Sequence, residues 1–310
     1  MNAEELLKAY GAGERDFQGV NLRHVNLSRA CLERINLSRS NLADAGLQGA
    51  NLQGADLCGA ILSEVSLSHA DLRGADLRGV ILTSGDLRRV ILRKTNLTGA
   101  DLSRANLANA DLSEANLTGA QLSEAILREA DLTLADLTLA ELERANLTRA
   151  NLTEAYLRGA DLADAVLREA QLPQANLRGS NLSNTDLQQT NLERAILIGA
   201  NLRGARLEEA NLRQASFKEA NLRHACLDKA NLVGADLRGV SLARSLLRGA
   251  DLSDAILIGA NLMGANLSDA TLRGANLIEA ILTGASMSGV DLTGVDLSQA
   301  VMPDGVLSDI

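Results

Sequence analysis

Residues 96–120 read NLTGA DLSRA NLANA DLSEA NLTGA, and this five-residue pattern decides the fold. Its period holds from Phe17 to Leu307, where 59 consecutive positions spaced five apart carry 55 Leu, two Phe and two Met. Two residues before each of them lies a small residue, most often Ala, and the residue between is usually Asn or Asp. A period of five fits neither a helix nor a single long strand, so the chain must turn within every repeat.

The composition agrees with a narrow core. Only 1% of the 310 residues are aromatic, although 46% are hydrophobic, and a conventional thick core would use the large area that aromatic side chains bury. The normal apolar fraction and a net charge of only −9 also exclude disorder. Residues two apart in an extended segment share a face, so we expect Ala and Leu to point inward and Asn or Asp outward.

This pattern resembles the pentapeptide repeat family over residues 16–310. The resemblance implies an all-β protein, a right-handed quadrilateral β-helix in which four repeats form one coil of 20 residues, here about 15 coils. Residues 4–17, EELLKAYGAGERDF, look like the leader of cyanobacterial members of that family. We expect an N-terminal capping helix within residues 1–15 and a single repeat domain over residues 16–310.

Residues 20 positions apart test this register independently. Arg104, Glu124, Arg144 and Asp164 alternate in sign, as stacked neighbours should. Ten glycines also share one column, and a type II turn requires the positive φ that glycine adopts without strain. We therefore expect type II turns at that corner and other turn types at the corners that carry Arg, Glu or Asp. The glycines are residues 19, 59, 79, 99, 119, 159, 179, 199, 239 and 259.

The two ends of the repeat differ. Asn2 and Glu5 form a capping-box pattern, and Gly11 is a plausible helix stop. We expect a helix over residues 3–10 to cover the first coil with one apolar face, made of Ala3, Leu6, Leu7 and Tyr10. No comparable helix is expected at the C-terminal end, where Pro303 and Gly305 loosen the pattern. The exposed C-terminal coil end is therefore a candidate surface for weak self-association.

The sequence offers no catalytic constellation. His24, His69 and His224 fall on distant coils, and Cys31, Cys58 and Cys226 fit no metal-ligand spacing. We therefore predict a non-enzyme without catalytic residues, cofactor or metal. The acidic pI of about 5 argues against direct nucleic-acid binding, and the chain has neither a signal sequence nor an apolar run long enough for a membrane span. These features, with unpaired cysteines, favour the cytoplasm.

Apolar residues at outward positions form the candidate binding site. Most outward middle positions are Asn or Asp, so the exceptions on the glycine-rich side suggest a wall that binds a protein partner. The alternative is that scattered exposed apolar residues are ordinary. Leu134 and Leu139 protrude near the same edge. The candidate wall comprises Tyr156, Ile196, Ile198, Ile256, Ile258 and Ile278. Ser180, Thr185 and Thr190 replace Ala on three successive walls, and we expect their hydroxyls to bond local backbone.

Two functions from different classes follow from the resemblance. The first is a rigid solenoid scaffold for protein–protein interaction, in some members regulatory, with an unknown partner. The alternative is a DNA mimic that binds a type II topoisomerase such as gyrase. Against the alternative, 30 Lys and Arg residues are interleaved with the acids, and no repeat is interrupted by a loop. An ice-binding surface would need longer Thr columns than Thr98, Thr118 and Thr138 provide.

Overall fold

Parallel β-bridges join residues that lie 20 positions apart, always at the Asn/Asp position. This position is called the middle position because it lies between the inward Ala and the inward Leu. Repeat positions are counted from it, so that Leu is second and the corner residue is fourth. Asn96 bridges Asn116 and Asn106 bridges Ile126, for example. Four repeats therefore complete one coil and return the chain to the same wall. This computed structural model confirms the right-handed quadrilateral β-helix that the sequence predicts.

The chain forms two units, Met1–Tyr156 and Leu157–Ile310, and the structure describes residues 1–308. In the first unit the bridges begin at Asp16 and end at Tyr156. In the second they begin at Asp161, and the last parallel bridge reaches Val301. Each unit has its own run of about seven coils. The single repeat domain expected over residues 16–310 stays a prediction.

Backbone hydrogen bonds between successive coils hold each wall together. The amide of Leu97 donates to the carbonyl of Asn116 at 2.7 Å, and the amide of Asn116 donates back to Thr95 at 2.9 Å. A third bond joins the Gly99 amide to the Thr118 carbonyl at 3.0 Å. Because the same three bonds recur between coils, buried backbone groups are satisfied without long strands.

Every corner from residue 19 to residue 299 has a positive φ at the fourth position of the repeat, whether or not that residue is glycine. Arg104 has φ 60° and Glu114 has φ 58°. The expectation that only the glycine-rich corner takes this conformation is therefore wrong. The corners close with a recurring bond, such as Ala105 N–H to Leu102 O at 3.0 Å, and this geometry requires the left-handed residue. The strain of about 1–2 kcal/mol at each non-glycine corner must be offset by the ladder and the core.

The middle Asn and Asp residues satisfy the corners, as their chemistry predicts. The Oδ1 atom of Asn96 accepts from the Thr98 amide at 3.1 Å, and Asp101 accepts from Ser103 at 3.0 Å. Some Asn side chains also bond from coil to coil: the Asn201 amide group donates to Oδ1 of Asn181 at 3.0 Å. Much of the acidic and amide content is therefore structural.

The Leu, Phe and Met side chains that recur every five residues fill the interior of each unit. Leu107 and Phe217 are fully buried, and Phe17 is only 2% exposed. The inward Ala residues are almost all buried as well, which allows opposite walls to approach. A core of Leu and Ala therefore replaces the aromatic core of a thicker domain.

The three inward hydroxyls are satisfied locally, which confirms the sequence expectation. Ser180 and Thr190 donate to the carbonyls three residues before them, both at 2.7 Å. Thr185 donates across to the carbonyl of Leu162 in the preceding coil at 2.9 Å. All three side chains are buried, so they form part of the core rather than a site.

Helix α1, Ala3–Gly11, covers the first coil, as predicted. The capping box is present, because Asn2 accepts from the Glu5 amide and the Glu5 carboxylate accepts from the Asn2 amide. Leu6 is fully buried beneath the helix, and the Tyr10 hydroxyl donates to the Glu33 carbonyl at 3.0 Å. Two details of the prediction were wrong: Gly11 belongs to the helix, which Ala12 caps, and Leu7 is 40% exposed.

The last described coil ends in a reversal of the chain. Val301 pairs with Leu307 in an antiparallel bridge, and the Met302 amide donates to Val306 O at 2.8 Å. Gly305, at φ 85°, permits the turn. Residues 286–308 contain no helix, and Leu292 is 38% exposed.

Candidate protein-interaction surface

The four walls are defined by the 20-residue register. Within each unit, the wall whose middle residues lie a multiple of 20 positions after Asp16 is called wall A, and walls B, C and D are named in the same way from Asn21, Asn26 and Cys31. The chain runs along a wall and then turns at the corner that follows it. Wall A therefore lies between the corner after wall D and the corner after wall A. All the candidate residues belong to wall A, at the middle or third position of a repeat.

In the second unit, wall A carries five half-buried isoleucines in two patches. Ile196 and Ile198 belong to one repeat, and Ile256 and Ile258 belong to another. Ile278 lies one coil after Ile258. The Ile258 and Ile278 carbonyls accept hydrogen bonds from the Gly239 and Gly259 amides at 3.0 and 2.9 Å. The structure therefore brings together Ile256, Ile258 and Ile278 and separates them from the Ile196 pair.

An ion cluster on the same wall separates the two patches. The Asp236 carboxylate lies 3.3 Å from the Lys218 ammonium and 2.6 Å from the Arg238 guanidinium. The hydrogen bonds from Arg238 hold the pKa of Asp236 below its ordinary value. Sequence reasoning overlooked this interruption, although Lys218 and Arg238 stand in the same register column as Ile198 and were a readable signal.

In the first unit, wall A carries the remaining candidate, Tyr156, which is 49% exposed. It bridges Asp136, and the Leu137 amide donates to its carbonyl at 2.7 Å. Leu134 and Leu139 occupy the corners on either side of that wall and are 43% and 63% exposed. The three residues therefore belong to the same stretch of wall A and its two corners, although they are up to 22 residues apart in the chain.

Ion pairs of the form Asp-x-Arg recur on the walls. Asp76 accepts from Arg78 at 2.6 Å, and Asp86 accepts from Arg88 at 2.7 Å. In both pairs the hydrogen bond from the guanidinium lowers the pKa of the carboxyl group. Between coils, Arg104 lies 3.1 Å and Arg144 lies 3.8 Å from the Glu124 carboxylate, which confirms the predicted charge register.

The lowered carboxyl pKa values predict a loss of stability in acid. A group whose folded-state pKa is depressed stabilises the fold above its unfolded pKa, near 4, and this contribution disappears as the pH falls through the folded value. Denaturant unfolding should therefore show Arg78→Gln less stable than wild type at pH 7 but indistinguishable at pH 2. An equal difference at both pH values would show that Arg78 acts through packing rather than through Asp76.

The described residues offer little for chemistry. Within residues 1–308 no group of His, Cys, Asp and Glu side chains is placed to hold a metal ion, and no helix is long and apolar enough to cross a membrane. The three cysteines are unpaired, and burial raises the pKa of the Cys226 thiol. A surface cleft at one corner is lined by Asp254 and Arg273.

The chain belongs to the pentapeptide repeat family. The model of that family, described as pentapeptide repeats, matches overlapping segments that together span most of residues 16–299. Proteins of this family are generally structural or scaffold proteins. A search of curated proteins finds no match to this chain.

Solved structures of cyanobacterial pentapeptide repeat proteins are similar in sequence. HetL from Nostoc sp. strain PCC 7120, a protein involved in heterocyst differentiation regulation, is 35% identical over 99% of this chain and 100% of its own, with a TM-score of 0.32. The protein alr5209 from Nostoc PCC 7120 is 36% identical over 37% of this chain and 80% of its own, with a TM-score of 0.25.

Proposed function

We propose that this protein is a non-enzymatic solenoid scaffold that binds another protein through wall A. One observation carries the proposal: residues 196–200 and 256–260 are identical ILIGA repeats, and both lie on wall A of the second unit. In every other repeat from 16 to 305 with a large apolar middle residue, the third residue is Ser, Thr, Arg or Pro. Apolar side chains at both outward positions of one repeat favour contact with a partner over contact with water.

The family supports a scaffold rather than an enzyme, and the residues agree. The outward polar groups are largely used by the fold itself, in bonds from middle Asn and Asp residues to corner amides. The regulatory role stated for HetL extends to this chain only as part of the proposal. We place the protein in the cytoplasm, where the thiols of Cys31, Cys58 and Cys226 would remain reduced.

The proposal is tested by affinity purification from the source organism with two matched double variants. Ile196→Asp with Ile256→Asp places the usual Asp at two wall-A middle positions, so the fold should be retained. Leu246→Asp with Ile281→Asp makes the same change on walls C and B. We expect a partner that is retained by wild type and the second variant and lost from the first. A partner retained equally by both variants would contradict binding through wall A.

Gyrase inhibition separates the scaffold from the DNA-mimic alternative. Pairs such as Asp76 with Arg78 place guanidinium groups beside the wall carboxylates and break up a uniformly acidic surface. We therefore expect no inhibition of gyrase supercoiling, and no quinolone protection, at equimolar protein. Inhibition at that ratio would replace the scaffold proposal with the alternative.

Weak self-association at the last described coil is a second element of the proposal. Val306 and Leu307 are each 60% exposed there, and Leu292 of the same coil end is 38% exposed. We expect a concentration-dependent increase in mass by sedimentation, which Leu292→Asp should reduce. A constant monomer mass up to the highest soluble concentration would remove this element and leave the wall-A proposal standing.

A further inference from the structure

Wall B of the second unit and the corners beside it concentrate positive charge. Residues 178–184, 198–204, 218–224 and 238–244 each comprise the corner after wall A, wall B itself and the corner after wall B. Together these four segments hold six Lys and Arg residues and one carboxylate, Glu219, in a chain that has 30 basic and 39 acidic residues. The six, here called the basic patch, are Arg178, Arg203, Lys218, Arg223, Arg238 and Arg244.

Most of the basic patch has no anionic partner in the chain. Lys218 and Arg238 share the carboxylate of Asp236. The other four side chains are exposed, and within the described residues their guanidinium groups make no hydrogen bond and no ion pair. Arg203 and Arg223 are stacked in consecutive coils, where like charges are mildly destabilising. A bound anion would relieve this repulsion.

A ladder of asparagine side chains fixes the wall between the two corners. The Asn221 side-chain amide donates to Oδ1 of Asn201 at 3.2 Å, and that of Asn201 donates to Asn181 at 3.0 Å. The backbone amides of Arg203 and Arg223 donate to Oδ1 of Asn201 and Asn221, at 3.3 and 3.2 Å. The middle positions are therefore used by the fold, and the unpaired donors of this surface are guanidinium groups.

Carboxylates border the basic patch without neutralising it. Asp186, on wall C, lies 3.6 Å from Arg168 and 3.7 Å from Arg206. Asp161 and Asp164 lie in the coil before the patch and mark its end on that side. Within the patch itself, four unpaired guanidinium groups therefore face a single acidic side chain.

We propose that the basic patch contacts an acidic segment of the partner protein, rich in Asp and Glu. A guanidinium group binds a carboxylate through two parallel hydrogen bonds. A nucleic acid matches less well, because the four segments have no Phe, Tyr or Trp for base stacking and the chain has a net charge of −9. This inference rests on the proposed scaffold function and adds the chemical character of the partner.

The acidic segment would guide the partner, while wall A holds it. Exposed ion pairs are individually weak, and charges around an interface act mainly on the rate of association. Ile198 occupies the corner after wall A, between Arg178 and Lys218 in the same register column, so one partner can reach both surfaces. We therefore expect rapid exchange of the acidic segment on wall B.

A fluorescein-labelled deca-glutamate peptide is the probe, and its binding to the full-length protein is followed by fluorescence anisotropy at low ionic strength. We expect Arg203→Gln with Arg223→Gln to weaken binding about fivefold, because two unpaired guanidinium groups are lost. Gln188 occupies the same repeat position, so the fold should be retained. Glu219→Gln should tighten binding, and added salt should weaken it.

The control for net charge is Arg128→Gln with Arg213→Gln. Both arginines are exposed third-position residues, on walls C and D, and their loss changes the net charge by the same amount. This variant should bind deca-glutamate nearly as tightly as wild type. Absence of binding to wild type, or an equal loss in both double variants, would overturn the proposal.

An oligothymidylate of the same length tests the nucleic-acid alternative. We expect it to bind wild type more weakly than deca-glutamate does. Tighter binding of the oligothymidylate that is lost with Arg203→Gln and Arg223→Gln would replace the acidic segment by a nucleic acid.

The inference and the scaffold proposal fail separately. If wild type does not bind deca-glutamate but loses its natural partner with Ile196→Asp and Ile256→Asp, the basic patch is refuted and wall A stands. If deca-glutamate binds as expected but that partner is retained by the isoleucine variant, wall A is refuted and the basic patch stands.

Discussion

Replacing Asn116 by proline is expected to destabilise the first unit by about 3 kcal/mol or more. The Asn116 amide donates to the Thr95 carbonyl at 2.9 Å, and proline would remove this donor and leave the carbonyl without its partner. Asn116 also lies within a wall that is paired on both sides, where proline is normally excluded. Denaturant unfolding followed by hydrogen exchange should show the loss centred on the neighbouring coils, because each coil contacts only its neighbours.

Thr118 provides the matched control two residues later in the same repeat. Its amide donates only to the Asn116 side chain, at 3.0 Å, and it occupies the second position of the corner turn, which favours proline. The chain already carries Pro173 at this repeat position, after Gln171 rather than Asn or Asp. We expect Thr118→Pro to cost about 1 kcal/mol or less. Equal losses for the two prolines would contradict the assignment of wall and corner.

Phe217→Ala should have the second large effect, a loss of about 3–5 kcal/mol in the second unit. Phe217 is fully buried where most repeats have leucine, and the narrow interior cannot collapse to fill the space that a benzyl group leaves. Phe217→Leu should cost about 1.5 kcal/mol or less, since leucine is the usual residue at this position. Thermal and denaturant unfolding measure both variants, and a smaller loss for Ala than for Leu would contradict a packed interior.

The repeat predicted most of the fold because a single period sets wall, core and corner at once. The inward Leu107 and Ala100, the outward Asn96 and the capping box of Asn2 and Glu5 all lie where the sequence placed them. The corner conformation at Arg104 could not be predicted in this way. Local propensity favours glycine there, and only the ladder bonds on both sides of the corner impose a positive φ on arginine.

The candidate surface was predicted less well. The sequence identified the outward isoleucines, and the 20-residue register placed them on one wall. The Lys218–Asp236–Arg238 cluster between the patches was overlooked, because only the apolar side chains of this wall were compared along the register. It noted Leu134 and Leu139 as protruding but could not show that two strained corners flank Tyr156. That arrangement depends on backbone angles which composition does not encode.

The most direct test of the central claim is a photocrosslinking scan around one coil of the second unit. A photoreactive phenylalanine analogue is placed in turn at positions 191, 196, 201 and 206, one on each of walls D, A, B and C, and the protein is irradiated in the source organism. We predict that position 196 alone crosslinks a partner protein in high yield. Equal crosslinking from all four walls, or a partner captured from positions 191, 201 or 206 and not from 196, would contradict an interaction surface on wall A.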